Sequence, residues 1–87
     1  MTMDKKITVR YFASVRETLG KGSETLQTAA PTLAALRDEL IARGAPYAEA
    51  LARGKAVRMA LDQAMSAETA PLAEGSEVAF FPPVTGG

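Results

Sequence analysis

The residues with the clearest capacity for chemistry stand at the C-terminus, in the run Phe80-Phe81-Pro82-Pro83-Val84-Thr85-Gly86-Gly87. Pro82 and Pro83 have no backbone N–H and a φ fixed near about −65°, so they end a strand and begin a stiff, extended exit from the domain. Val84 and Thr85 are β-branched and favour extended backbone, while Gly86 and Gly87 carry no side chain. From Pro82 onward the chain reaches at most ~20 Å, at about 3.3 Å per residue, and a narrow tunnel in another protein could admit such a tip. Its one reactive group is the α-carboxylate of Gly87, ionised at neutral pH and a poor electrophile until another enzyme converts it to an acyl phosphate or acyl adenylate. Attack by an amine would then give an isopeptide, and attack by sulfur a thiocarboxylate. The latter is an ionised sulfur nucleophile by the logic that makes the thiolate the reactive form of cysteine. A Gly-Gly ending alone is common in frayed termini; the Phe-Phe-Pro-Pro lead-in is what sets this one apart.

The rest of the chain points away from self-sufficient catalysis. Among 87 residues there is no cysteine and no histidine. The commonest nucleophile, general base and metal ligand are therefore missing, no metal site is expected, and packing alone must hold the fold. Lys and Arg balance Asp and Glu at ten each, which leaves no general basic footprint for nucleic acid. All ten bases fall at or before Arg58, and Asp62, Glu68, Glu74 and Glu77 follow it. This acidic C-terminal third suggests a partner that is basic where it docks, or else a solvated face. No apolar run approaches the ~20 residues of a membrane span and the charged N-terminus does not suit a signal peptide, so the expected address is the cytoplasm.

Stepping from the tail to what must hold it, Lys5 to Phe12 alternate with strand period, Ile7, Val9 and Tyr11 on one side and Thr8, Arg10 and Phe12 on the other. Ala13 to Leu19 suit a short helical turn. Gly20-Lys21-Gly22 lacks the spacing of a phosphate loop and suits a turn into a second strand at Ser23 to Gln27. Thr32 is placed to cap a helix with Leu33, Leu36, Leu40 and Ile41 on its core face and Arg37, Asp38 and Glu39 turned outward. Arg43 falls in its last turn and Gly44 offers a left-handed cap. Residues 46 to 54 suit a loop with a helical turn. Val57, Met59 and Leu61 then face inward from a third strand, Asp62 and Gln63 suit the next turn, Glu74-Gly75 another, and Val78 to Phe81 make the last strand.

The order β, β, α, β, β implies one α+β domain, a mixed sheet with one main helix, over residues 1–81, with the tail at 82–87. The ubiquitin-like β-grasp is the small fold with that order, and in it the first and last strands lie side by side at the centre. Phe80 and Phe81 alternate, so one faces the core and the other the surface. An outward Phe beside Phe12 or Val84 would form an apolar docking patch. Tyr11 and Tyr47 suit packing rather than a site.

The stretches Ala73 to Gly87 (AEGSEVAFFPPVTGG) and Val9 to Gly20 (VRYFASVRETLG) resemble the small, sulfur-carrier subunits of molybdopterin synthase over nearly the whole chain. Two positions depart from that family's habit, Asp62 where an Asn is common and Gly75-Ser76 where a Gly-Asp pair is common. The resemblance implies a β-grasp sulfur carrier that binds no cofactor itself. An ATP-dependent activating partner would adenylate Gly87 and sulfurate it to a thiocarboxylate. The tail, Pro82, Pro83, Val84, Thr85 and Gly86, would then enter a large catalytic subunit, where the sulfur passes to cyclic pyranopterin monophosphate. Phe12, Phe80 and Phe81 would touch the partner, and the assembly would be a heterotetramer whose catalytic residues lie on the large subunit. The residues alone leave open a carrier for thiamin or tRNA thiolation, a protein modifier, and a plain interaction module.

Overall fold

In a computed structural model, which describes residues 4–52, 54 and 56–82, the alternation after Asp4 becomes strand β1, Lys5–Tyr11, with Ile7, Val9 and Tyr11 buried. Helix α1, Ala13–Leu19, follows at once and buries Val15 and Leu19. Strand β2, Ser23–Thr28, returns antiparallel to β1. Helix α2, Leu33–Ile41, starts where the Thr32 side chain accepts from the Ala35 N–H at 3.2 Å. It ends by tightening, with the Arg43 and Gly44 N–H groups donating to Leu40 and Ile41, and Gly44 takes the left-handed φ of 84° that its lack of a Cβ permits. A five-residue helix α3, Tyr47–Leu51, precedes strands β3, Arg58–Leu61, β4, Ala64–Met65, and β5, Glu77–Phe81.

The sheet order is β2-β1-β5-β3-β4. β5 lies parallel to β1, with Tyr11 beside Phe80, and antiparallel to β3, with Arg58 beside Phe81. The first and last strands thus pair at the centre, and the fold is the ubiquitin-like β-grasp. Leu33, Leu36 and Leu40 of α2 are fully buried and meet Ile7, Val9, Val78 and Phe80 from the sheet in one core. The rings of Tyr11 and Phe80 stack at 6.1 Å inside it. Each large side chain of this size contributes roughly 1.5–3 kcal/mol on burial, so the central pair β1/β5 is where the fold is anchored.

Three sequence expectations change. Ala13 to Leu19, expected as a short helical turn, is a full seven-residue helix. β4 was not anticipated, because two residues carry no period; it is paired through a two-residue turn at Asp62 and Gln63, both with positive φ (51° and 71°), as the hairpin twist demands. Asp62 stands in the conformation that Asn and Asp tolerate best. Arg37 is turned inward instead of outward and is only 3% exposed. Its Nε and Nη2 donate to the carbonyls of Leu51 and Ala52, each at 2.8 Å, and its Nη1 lies 3.6 Å from Glu68. The end of α3 has carbonyls without helical partners, and a buried guanidinium supplies the donors.

Candidate functional site

The site is the root of the tail. β5 is held by β1 up to Phe80 and by β3 up to Phe81, and Pro82, which cannot donate to a ladder, follows as the first residue outside it. Pro83, Val84, Thr85, Gly86 and Gly87 lie outside the described residues.

Alternation along β5 separates the two phenylalanines. Phe80 is 0% exposed and belongs to the core, so it is removed from the docking patch: its ring is spent against Tyr11 inside the core. Phe81 faces the other way and is half-buried. The register that pairs Tyr11 with Phe80 sets Phe12 next to Phe81 on the outer face of the sheet, and Phe12 is 44% exposed. The Phe12 N–H donates to the Phe80 carbonyl at 3.1 Å, which fixes the chain at that point. Next in register run Arg10, Ala79, Ala60 and Met65, the last 62% exposed. The outer face therefore carries an apolar band, Phe12 and Phe81 with Ala79, Ala60 and Met65. Arg10, whose guanidinium stands 6.0 Å from the Phe12 ring, and Arg58 border it. Ala79 was findable from the β5 alternation; Met65, in the unforeseen β4, was not.

An open groove of about 310 Å³ lies at the tail root, between Val15 and Thr18 of α1, Ala50 of α3, Ala56 and Val57 before β3, and Pro82. Its lining mixes the methyl groups of these residues with the hydroxyl-bearing Ser14 and Thr18. Among the described residues no group of three or more carboxylates could hold a metal ion.

Two readings of charge and polarity are revised. The four acids of the C-terminal third are employed inside the fold. Glu77 pairs with Arg10 at 3.0 Å, the Asp62 carboxylate accepts from the Glu77 N–H, Glu74 accepts from the Lys6 N–H, and Glu68 faces Arg37. Glu77, and Asp62 and Glu74 with it, sit where β5 begins, at the end of that strand remote from the tail, whereas Glu68 lies near Arg58 and Met59, which pair with the tail end of β5. The second finding is a polar hub that local sequence did not signal. The hydroxyls of Tyr11 and Tyr47 both donate to Glu24 Oε2 at 2.7 Å, while Lys21 Nζ donates to the Tyr47 hydroxyl at 3.1 Å. Lys21 and Arg43 stand 3.5 and 3.9 Å from Glu24 Oε1 and on the Tyr47 ring. Burial by itself would push the Glu24 carboxyl up, but the two hydroxyls and then the two cations outweigh it and hold it below the usual carboxylate range. Burial, then the Glu24 carboxylate, pushes the Tyr11 hydroxyl far above the ordinary tyrosine range. Both tyrosines are therefore structural, as their sequence context suggested, and Glu24 ties α3 to β1 and β2.

Comparison with known proteins agrees with this arrangement. Residues 9–87 match the ThiS family. The chain is 43% identical over 81 residues to the molybdopterin synthase sulfur carrier subunit of Escherichia coli, covering 93% of this chain and 99% of that protein. It is 37% identical to the protein of the same description from Haemophilus influenzae, with the same coverage. Among solved structures it is similar to a chain in the complex of subunits 1 and 2 of molybdopterin-converting factor from Helicobacter pylori, with 25% identity, a TM-score of 0.60, and coverage of 94% of this chain and 99% of that one.

Proposed function

Because the chain belongs to the ThiS family, we propose that it is the sulfur carrier subunit of a molybdopterin synthase. The observation that carries this reading is the near-full-length likeness to proteins of that description. In the proposed cycle a Gly87 carboxylate oxygen attacks the α-phosphorus of ATP on an activating enzyme, releasing pyrophosphate and leaving a glycyl adenylate. A sulfur donor then displaces AMP and leaves the thiocarboxylate. The tail carries that sulfur into a large subunit, where it passes to cyclic pyranopterin monophosphate as the dithiolene is built. ATP is bound by the activating partner. The carrier itself supplies a rigid root at Phe81–Pro82 and an apolar band, Phe12 and Phe81, on which a partner can seat. The likeness to a chain in a complex of subunits 1 and 2 supports a large-subunit partner; the heterotetramer is part of the proposal. No helix of the described residues is long and apolar enough to cross a membrane; work in the cytoplasm is part of the proposal.

The test is mass spectrometry of the untagged chain after incubation with its activating enzyme, ATP and a sulfur source. One oxygen of Gly87 is expected to be replaced by sulfur, and adding one residue after Gly87 is expected to abolish the change while the fold is retained. An unmodified Gly87, under conditions that load a known carrier, would overturn the reading. High-mass conjugates surviving denaturation and reduction would instead favour a protein modifier, and sulfur delivered to thiazole or tRNA but not to the pterin would assign the carrier to those pathways.

A further inference from the structure

The two edges of the sheet are finished differently. β4 is closed off by being only two residues long. β2 runs for six residues, Ser23–Thr28, with neither proline nor lysine, the residues that commonly blunt an exposed edge. Its register shows which backbone groups are left open. The Tyr11 N–H donates to the Gly22 carbonyl at 2.9 Å, and an antiparallel ladder repeats its bonded pairs at every second residue. Glu24, Leu26 and Thr28 therefore bond to Val9, Ile7 and Lys5 of β1. The N–H and C=O groups of Ser23, Thr25 and Gln27 face away from β1, and among the described residues they take no hydrogen bond elsewhere. The side chains of all three are exposed.

We propose that this edge pairs with the same edge of a second copy of the chain, antiparallel about a two-fold axis at Thr25. In that arrangement Thr25 faces Thr25 and Ser23 faces Gln27, and the residues that become bonded pairs are those whose backbone groups are open. About six N–H···O bonds then form, two for each facing pair. An isologous contact must be complementary to itself. Here the bonded facing pairs, Thr25–Thr25 and Ser23–Gln27, are uncharged, Thr–Thr contacts are favourable across strands, and on the other face Glu24 falls opposite Leu26, so no like charges face each other. β1 stands between β2 and β5, so both tail roots stay clear of the axis and the Phe12–Phe81 band stays open on each copy. A lone strand pair covers less surface than a permanent dimer needs, so the association is weak and grows with concentration.

Sedimentation equilibrium of the untagged full chain, over a range from micromolar to millimolar, tests this. The wild type is expected to shift from 9.1 kDa toward twice that mass. Thr25→Pro removes an N–H that β1 does not use and is tolerated on an edge strand; it is expected to remain monomeric throughout. Thr25→Lys, at an exposed position, sets two ammonium groups face to face and is expected to do the same. Hydrogen exchange at the Thr25 and Gln27 amides of the wild type should slow as concentration rises, with Glu24 and Leu26 unchanged. A wild type that stays monomeric, or a dimer undiminished in both variants, overturns the proposal. So does protection of these amides only when a different protein is added, which would give the edge to a foreign strand.

Discussion

The inner and outer faces of the same sheet are built from neighbouring residues and do different work. On the inner face Ile7, Val9, Tyr11, Val78 and Phe80 are sealed under α2, and among the described residues no buried side-chain nitrogen or oxygen lacks a hydrogen-bond partner. On the outer face Phe12 stands exposed beside Phe81, and Met65 stands exposed beyond Ala79 and Ala60, with two arginines at the border. One step along β5, from Phe80 to Phe81, crosses from holding the fold to offering a surface. The separation teaches that stability and contact can be altered independently here, even at adjacent positions.

The sharpest way to break that comparison is to truncate each phenylalanine. Phe80→Ala opens a cavity under α2 and is expected to cost about 4 kcal/mol in denaturant unfolding. Phe81→Ala is expected to cost less than about 1 kcal/mol there. In calorimetric titration it should weaken binding to the large subunit on the order of 30-fold, if Phe81 is one of the few contacts that dominate the interface. Equal destabilisation by both changes would show that the two faces are not separable.

The Glu24 hub predicts how the inner side responds to pH. Its carboxyl is held low in the fold, so its contribution is present above the unfolded value of about 4.3 and is lost as pH falls through the lower folded value. Tyr11 is held high, so its contribution is present below an unfolded value of about 10 and is lost as pH rises beyond it. Thermal melts should therefore show a plateau between roughly pH 5 and 9 with both limbs falling. Glu24→Gln should lower the plateau by about 2 kcal/mol and flatten the acid limb, leaving the outer face and its binding unchanged. The smallest expected effect is at the hairpin turn. Gln63→Gly relieves a left-handed φ and should gain about 0.5 kcal/mol, net of the extra freedom glycine has when unfolded.

Sequence reading reached the elements whose signal is local. The β1 alternation, the Thr32 cap, the α2 leucines, the Glu74–Gly75 turn and the proline stop after Phe81 are each encoded within a few residues. It missed what depends on distant partners. Arg37 looked outward because a long cation usually is, and its reason for turning in is a pair of carbonyls at Leu51 and Ala52 that only the packing of α3 against α2 brings near. Glu24 gathers Tyr11, Lys21, Arg43 and Tyr47 from separate elements. The C-terminal acids read as a docking charge or a solvated face because their internal partners, Arg10, Lys6 and Arg37, lie far away in the chain. At the tail root, Phe12 and the terminal prolines were visible as types; which phenylalanine faces out required the register of β5 on β1.

That register also decides how the domain answers mechanical force. β5 is gripped along its length by β1 on one side and β3 on the other, and the chain leaves it at Pro82. A pull along the strand axis loads the bonds of both ladders together, in shear. They cannot open one at a time like a zipper. In the proposed cycle, a tail drawn out of one protein and then another along that axis is tugged against both ladders at once.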